Sequence, residues 1–258
     1  MKVQEYISSR REGRPLHFTL LDPGKTSAND LITLAKQTAE AGTDGFMVGG
    51  STDLSLENVD LAVETIKQTT HMPVILFPTH ASSVSGKADA IFFMSLLNSE
   101  SRQFLVGEQI ASAPWVKKTG LEPLSMAYLV VAPGMTAGRV GQAQPLPRDQ
   151  PDLVVSHALA GQYLGMKYIY LEAGSGASEP VPEHIIKSVR ESIDVTLIVG
   201  GGIRTPESAR KVVAAGADIV VTGTFVETSQ SLKEEMTALT NAIPVSYTHL
   251  RAHETDYY

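Results

Sequence analysis

The chain has 258 residues, close to the size of one (β/α)8 domain and long enough to bury a large core. Hydrophobic residues make up 43 %, charged residues 19 %, and the formal net charge is -7, with no Lys/Arg cluster interleaved with aromatics; this argues against nucleic acid as a partner. There are no cysteines, which excludes disulfides and thiolate metal sites and suits a reducing cytoplasm.

Residues 1–15 carry no apolar core of the signal-peptide kind. No apolar run approaches the length of a membrane span, although contact with a membrane surface stays open. Val3, Tyr6 and Ile7 recur at helical spacing and predict a short helix closing one end of the fold. His17 to Leu21 is the first predicted strand, followed by Asp22-Pro23-Gly24-Lys25. Ser27 caps a helix carrying Leu31, Leu34, Ala35 and Ala39 that stops at Gly42. Phe46 to Val48 is strand two, ending in Gly49-Gly50-Ser51-Thr52, and a helix with Val59, Ala62, Val63 and Ile66 inward follows.

Val74 to Phe77 is strand three and Ile91 to Leu96 strand four. The stretch between them, THASSVSGKAD, is too short and polar for a crossover helix. The expected architecture is therefore a barrel with one outer helix missing or replaced by a loop. That absence opens the flank, either as a groove for a long ligand or as a face covered by a neighbouring subunit. Arg102 to Lys118 is predicted helical, with Phe104, Val106, Ile110, Ala113 and Trp115. Met126 to Val131 is strand five, and the long Gly/Pro-rich connection after it suits a lid or binding loop. Leu153 to Leu164 is a helix, Tyr168 to Leu171 is strand six, and Pro182 to Val189 is a helix with Ile185, Ile186 and Val189 inward.

Thr196 to Phe225 reads as strand, glycine turn, helix, strand and second glycine turn. Thr196 to Val199 and Ile219 to Val221 are the strands. Thr205 is the N-cap, Pro206 the first helical residue and Gly216 the stop. Two consecutive strand ends with glycine form the phosphate cup of a (β/α)8 barrel; the plainer alternative is that these glycines only make tight turns. Ala41 to Ser51 repeats the order of Ala215 to Phe225, as barrel units do. Leu232, Met236 and Leu239 mark a closing helix. The expected organisation is a TIM barrel in one domain over residues 1–244. Residues 245–258 have no place in the barrel pattern and resemble a translated sequencing adapter, so they are read as a non-native tail.

Candidate functional groups all fall at predicted C-terminal strand ends: Asp22, Ser51, Glu172 with its Gly174-Ser175-Gly176 turn, Gly200 to Gly202, and Gly223-Thr224. Asp22 also fits a turn-initiating residue before proline, and Ser51 an ordinary cap. Asp22 and Ser51 are hard oxygen groups suited to Mg²⁺. Glu172 suits hydrogen bonding to hydroxyls or general base work; the alternatives are a solvated carboxylate or a partner for Arg204. Tyr170 alternates with Glu172 on the same side of its strand. His80 and His157 are read as surface or structural residues.

In this order, TLLDPGK, GGST, YLVVAPG with TAGRVG, YLEAGSG, VGGGIR and VTGT resemble geranylgeranylglyceryl phosphate synthases and their PcrB-type bacterial relatives over most of residues 15–240. YLEAGSGA is the specific part; VGGGIR is common to many phosphate-binding barrels. The resemblance implies transfer of a polyprenyl group from its diphosphate to the 3-hydroxyl of sn-glycerol 1-phosphate, with Mg²⁺. It implies Mg²⁺ ligation by Asp22 and Ser51. It further implies glycerol phosphate binding by Tyr170, Leu171, Glu172, Ala173, Gly174, Ser175 and Gly176, by Gly201 and Gly202, and by Gly223 and Thr224. Catalysis would rest on Glu172 and Asp22, in a cytoplasmic homo-oligomer with transient membrane-surface contact for product release.

Gly24 departs from the family's usual second aspartate in DPDK, so diphosphate binding is expected to weaken while Asp22 keeps the metal site. Leu20 stands where PcrB-type members often carry lysine, which favours the archaeal-type group. The alternatives are another phosphate-barrel isomerase or lyase, and a non-catalytic phosphate-ligand binder.

Overall fold

The computed structural model describes residues 1–50, 54–229 and 231–243. The chain runs α1 (Val3–Arg11), β1 (Leu16–Leu21), α2 (Ala28–Glu40), β2 (Gly45–Gly49), α3 (Leu56–Thr69) and β3 (Val74–Phe77). After a 3-10 turn at Ala81–Ser83 come β4 (Ala90–Leu96), a π-helical turn at Gln103–Gly107, α4 (Glu108–Thr119) and β5 (Glu122–Val130). Then follow α5 (Met135–Val140), α6 (Pro151–Tyr163), β6 (Tyr168–Glu172), α7 (Glu183–Ser192), β7 (Thr196–Gly200), α8 (Pro206–Ala214) and β8 (Ile219–Thr222). Two helices finish the described chain, α9 (Thr224–Thr228) and α10 (Leu232–Ala242).

The eight strands pair in sequence order, all parallel, and β8 returns to β1. Short β-branched and apolar runs buried on both faces make such strands. Inward positions, among them Phe18, Met47, Ile75, Phe92, Tyr128, Tyr170 and Ile198, fill the barrel. The alternate positions pack under the helices, as Leu21, Val48, Leu76, Leu171 and Val199 do. Each fully buried aromatic or aliphatic side chain contributes about 1.5–3 kcal/mol from removal of apolar area. His17 points outward between Thr43 Oγ1 at 3.0 Å and Thr222 Oγ1 at 2.9 Å; burial lowers its pKa to about 3 and keeps the ring neutral.

The predicted gap in the helix layer is present: only Ala81–Ser83 coils between β3 and β4. Ser27 and Thr205 cap α2 and α8 with their hydroxyls, and Pro206 opens α8 as expected. One helix differs in phase. The π turn at Gln103–Gly107 takes more residues per turn than an α-helix and rotates the face of α4 that follows. Ser112 and Val116 are buried there, while Val106, Ile110 and Trp115 are exposed. The Gly/Pro-rich connection after β5 contains α5, which a six-residue span gives too little periodicity to announce.

The N-terminal face of the barrel is shut by α1. Val3 and Gln4 N–H groups donate to the Glu122 carboxylate at 2.6 and 3.2 Å, in place of a side-chain cap. Arg14 pairs with buried Asp44 at 2.5 Å, and Arg11 and Arg190 pair with buried Asp218 at 3.0 and 2.9 Å. These partners keep two buried carboxylates from standing alone, which would be strongly unfavourable. The opposite face stays open.

Candidate active site

Asp22 follows β1 and is 3 % exposed. Its Oδ1 accepts the Gly24 N–H at 3.0 Å. Its Oδ2 is buried and, among the described residues, has no hydrogen-bond donor. Lys25 Nζ lies 3.1 Å from Oδ2, close enough for an ion pair but out of line for a hydrogen bond. Gly50, after β2, lies against the same carboxylate, and a Cβ there would overlap it. A buried anionic oxygen with spare capacity, in a cradle only glycine leaves open, fits a hard divalent cation. Among the described residues no group of three or more His, Cys, Asp or Glu gathers to hold a metal. Water and substrate oxygens would therefore complete the shell, as Mg²⁺ prefers. Ser51, the second expected ligand, lies outside the described residues.

Glu172 ends β6 and is 6 % exposed. Its Oε1 accepts the Gly174 N–H at 2.7 Å, and the Tyr170 and Tyr128 hydroxyls also donate to the carboxylate. Burial outweighs these three hydrogen bonds and pushes the Glu172 pKa up to about 7. Both phenols are raised well above their ordinary value, mainly by burial and then by the Glu172 charge. Phe77 stacks on Tyr170 at 5.5 Å and meets Tyr128 edge-on at 5.4 Å. A carboxyl poised near neutrality, with phenols fixing its orientation, suits proton acceptance from a hydroxyl. Tyr170 and Glu172 share the inner side of β6, as their alternation predicts. The alternative pairing of Glu172 with Arg204 is not what the fold adopts: Arg204 donates to Gly176 O at 3.0 Å.

A small cavity of about 40 Å³ opens beside Glu172. Tyr170, Ser175, Gly176, Gly201, Gly202, Gly223 and Thr224 from the expected set line it, together with Arg204. Ser175 Oγ and Thr224 Oγ1 lie 2.9 Å apart and join the ends of β6 and β8. The expected residues therefore converge, apart from Gly174, which is not part of the cavity wall and donates its N–H to Glu172, and from Leu171 and Ala173. Leu171 and Ala173 pack outward under the helices, so their side chains do not face the cavity. The Ala173 main chain is also engaged, its N–H donating to Gly200 O and its carbonyl accepting from Gly134 N–H.

A second, larger cavity of about 140 Å³ shares Glu172, Ser175, Gly223 and Thr224 with the first. Asp22, Lys25 and Glu227 stand at its polar end. Its other walls include Phe77, Val84, Ile91, Met94, Phe104 and Ser112. It thus runs from the barrel mouth toward the flank between β3, β4 and α4, where the outer helix is missing. His80, expected to be structural, lines this cavity with its ring 3.1 Å from Glu108 Oε1. His157 is half-buried and, among the described residues, bonds within its own helix, to Leu153 O at 2.8 Å.

Tyr128, Lys25, Arg204 and Glu227 were not among the expected site residues. Tyr128 had a usable signal: inward periodicity on strand five, where it comes to lie beside Tyr170. Lys25 and Arg204 sit inside the quoted motifs but carry no local sign of a role. Glu227 lies in a helix too short to be recognised.

The pattern of the PcrB family matches residues 7–243. The chain belongs to the PcrB family. This family member is 53 % identical over 233 residues to geranylgeranylglyceryl phosphate synthase of Pyrococcus horikoshii, covering 90 % of this chain and 92 % of that one. Its fold superposes with a TM-score of 0.92, at 44 % identity, on (S)-3-O-geranylgeranylglyceryl phosphate synthase from Thermoplasma acidophilum crystallised with the substrate sn-glycerol-1-phosphate. That match covers 95 % of this chain and 99 % of the other. The wild-type enzyme of Thermoplasma volcanium gives 0.91 at 43 % identity, covering 95 % and 98 %. The archaeal-type resemblance read from the motifs agrees with these relatives.

Proposed function

We propose that this PcrB-family chain transfers a geranylgeranyl group from its diphosphate to the 3-hydroxyl of sn-glycerol 1-phosphate, forming the first ether bond of archaeal-type lipids. The observation that carries the reading is the position of Glu172. Its buried carboxyl, with a pKa near 7, faces both the glycine-lined cavity and the apolar one.

The main-chain groups of Gly201, Gly202, Gly223 and Thr224, with the Arg204 guanidinium near them, would hold the phosphate of glycerol phosphate. Tyr128 and Tyr170 orient Glu172 toward the glycerol hydroxyls. Glu172 takes the proton as the 3-oxygen forms its bond to the allylic carbon and the carbon–oxygen bond to diphosphate breaks. Asp22, with Ser51, would hold Mg²⁺, which when bound supplies positive charge for the diphosphate leaving group. Phe77, Met94, Phe104 and neighbouring apolar side chains take the prenyl tail and exclude water from the allylic centre.

The reading places the enzyme in the cytoplasm as a homo-oligomer, with a membrane surface receiving its product. Among the described residues no helix is long and apolar enough to cross a membrane. The test is incubation of labelled glycerol 1-phosphate, Mg²⁺ and a ladder of prenyl diphosphates, with product mass analysis. Ether product in the wild type, lost in Asp22→Asn and Glu172→Gln, is expected. Undiminished product in both variants would refute the roles of Asp22 and Glu172.

A further inference from the structure

We propose that Lys25 is the resident counter-charge of the cation site: it pairs with Asp22 while no divalent cation is bound and turns to the diphosphate once one is. This inference rests on the reading of Asp22 as the Mg²⁺ ligand.

The geometry around Lys25 carries it. Asp22 has a buried oxygen that no described residue hydrogen-bonds, and Lys25 Nζ stands 3.1 Å from that atom. On its other side, Lys25 lies 4.0 Å from Glu227 Oε2. The Glu227 side chain is 16 % exposed and the Asp22 side chain 4 %, whereas that of Lys25 is 43 % exposed. All three line the polar end of the large cavity. The ammonium therefore stands between two largely buried carboxylates while much of the Lys25 side chain stays in solvent. A lysine has the right chemistry, being a compact charge with rotatable donors on a flexible four-carbon stem.

A divalent cation on Asp22 would meet the ammonium at the oxygen both require. Two like charges at that range repel, so one displaces the other. Glu227 retains a displaced Lys25 at the cavity lip. There its three donors face the end of the cavity that receives the diphosphate, a ligand richer in charge than the carboxylate Lys25 left. This also gives the Gly24 chain a cationic group for the diphosphate that needs no second aspartate in the DPGK motif.

The consequence is a change of sign. Lys25 opposes cation binding to the substrate-free protein and assists pyrophosphate binding to the cation-loaded protein. A lysine with only a structural role would weaken both or neither.

The experiment uses the full chain and two probes. Mn²⁺ binding to the substrate-free protein is followed by the electron paramagnetic resonance of free Mn²⁺. Inorganic pyrophosphate binding in saturating Mg²⁺ is followed by calorimetry. Lys25→Met is expected to tighten Mn²⁺ binding about three- to tenfold and to weaken pyrophosphate binding by a similar factor, the scale of one partly exposed ion pair. Lys25→Gln should repeat both effects, and Lys25→Arg should restore pyrophosphate binding. Unchanged or weaker Mn²⁺ binding in Lys25→Met and Lys25→Gln overturns the proposal. If Asp22→Asn abolishes Mn²⁺ binding in the same series, the magnesium reading survives that failure. If the wild type binds no Mn²⁺, or Asp22→Asn binds it normally, both fall together.

Discussion

Glu172 and Gly201, at the adjoining ends of β6 and β7, approach so closely that a Cβ on Gly201 would overlap the carboxylate oxygen Oε1. Gly201 also holds φ at +81°, in the left-handed region that side chains disfavour. Gly201→Ala should therefore displace the carboxylate as well as strain the turn. The expected result is a loss of about 1–3 kcal/mol in stability from the backbone alone. The kcat/KM for glycerol phosphate should fall by about 10²-fold, the usual effect of misplacing reacting groups by an ångström. Thermal unfolding and steady-state kinetics measure the two effects separately.

The pKa of Glu172 predicts two pH dependences. As a base it must be ionised, so activity should rise through about pH 7, and Glu172→Gln should be slower by about 10²- to 10⁴-fold with no such rise. Stability runs the other way. The folded pKa is above the ordinary glutamate value of 4.5, so the folded state binds the proton more tightly than the unfolded state. That contribution is complete below about pH 4.5 and is lost as pH rises through about 7. In unfolding scans without substrate, the wild type should lose stability relative to Glu172→Gln across that window. A constant difference would disprove the assignment.

Tyr128 offers a more selective probe. Its hydroxyl donates to the Glu172 carboxylate and lowers the pKa of that group. Tyr128→Phe keeps the ring that packs on Phe77 and removes only the donor. The limb of the pH–rate profile attributed to Glu172 should move to higher pH, and the rate at neutral pH should fall by about tenfold, as expected for a lost hydrogen bond to a charged group. Retention of the wild-type profile would remove Tyr128 from the site.

The prenyl channel can be tested by filling it. Ser112 lies on α4, is buried, and lines the large cavity far along the chain from Asp22. Ser112→Phe should cost about 1–3 kcal/mol by overpacking. It should also shift the preferred donor from geranylgeranyl toward farnesyl diphosphate in a competition assay. An unaltered preference in a folded variant would place the tail elsewhere.

Much of the barrel was legible because its punctuation is local. Thr205-Pro206, Gly216 and the alternating strand runs each act within a few residues, so cap, start, stop and face follow from short-range chemistry. The missing outer helix was visible as a segment too short to form one. What escaped depends on distance or brevity. The Lys25–Glu227 pair joins the turn after β1 to α9, and no spacing encodes that contact. The π turn at Gln103–Gly107 changes the phase of the helix that follows, and Gly107 at its end does not announce the extra residue in the turn. Tyr128 belongs to an ordinary apolar run until β6 is placed beside it. Glu172 was identifiable from its motif, but its near-neutral pKa arises from burial between two tyrosines that only the closed barrel brings together.

The join between β3 and β4 is the thinnest in the ring. It pairs only at Ile75–Ala90 and Leu76–Ile91, whereas β4 and β5 pair from Ala90–Glu122 to Leu96–Tyr128. The same sector lacks its covering helix. A hoop yields first where it is narrowest and unsupported, so amide hydrogens along this sector should exchange earliest. An oily tail can then be laid in sideways through a yielding wall, instead of being threaded from its tip through a rigid tube.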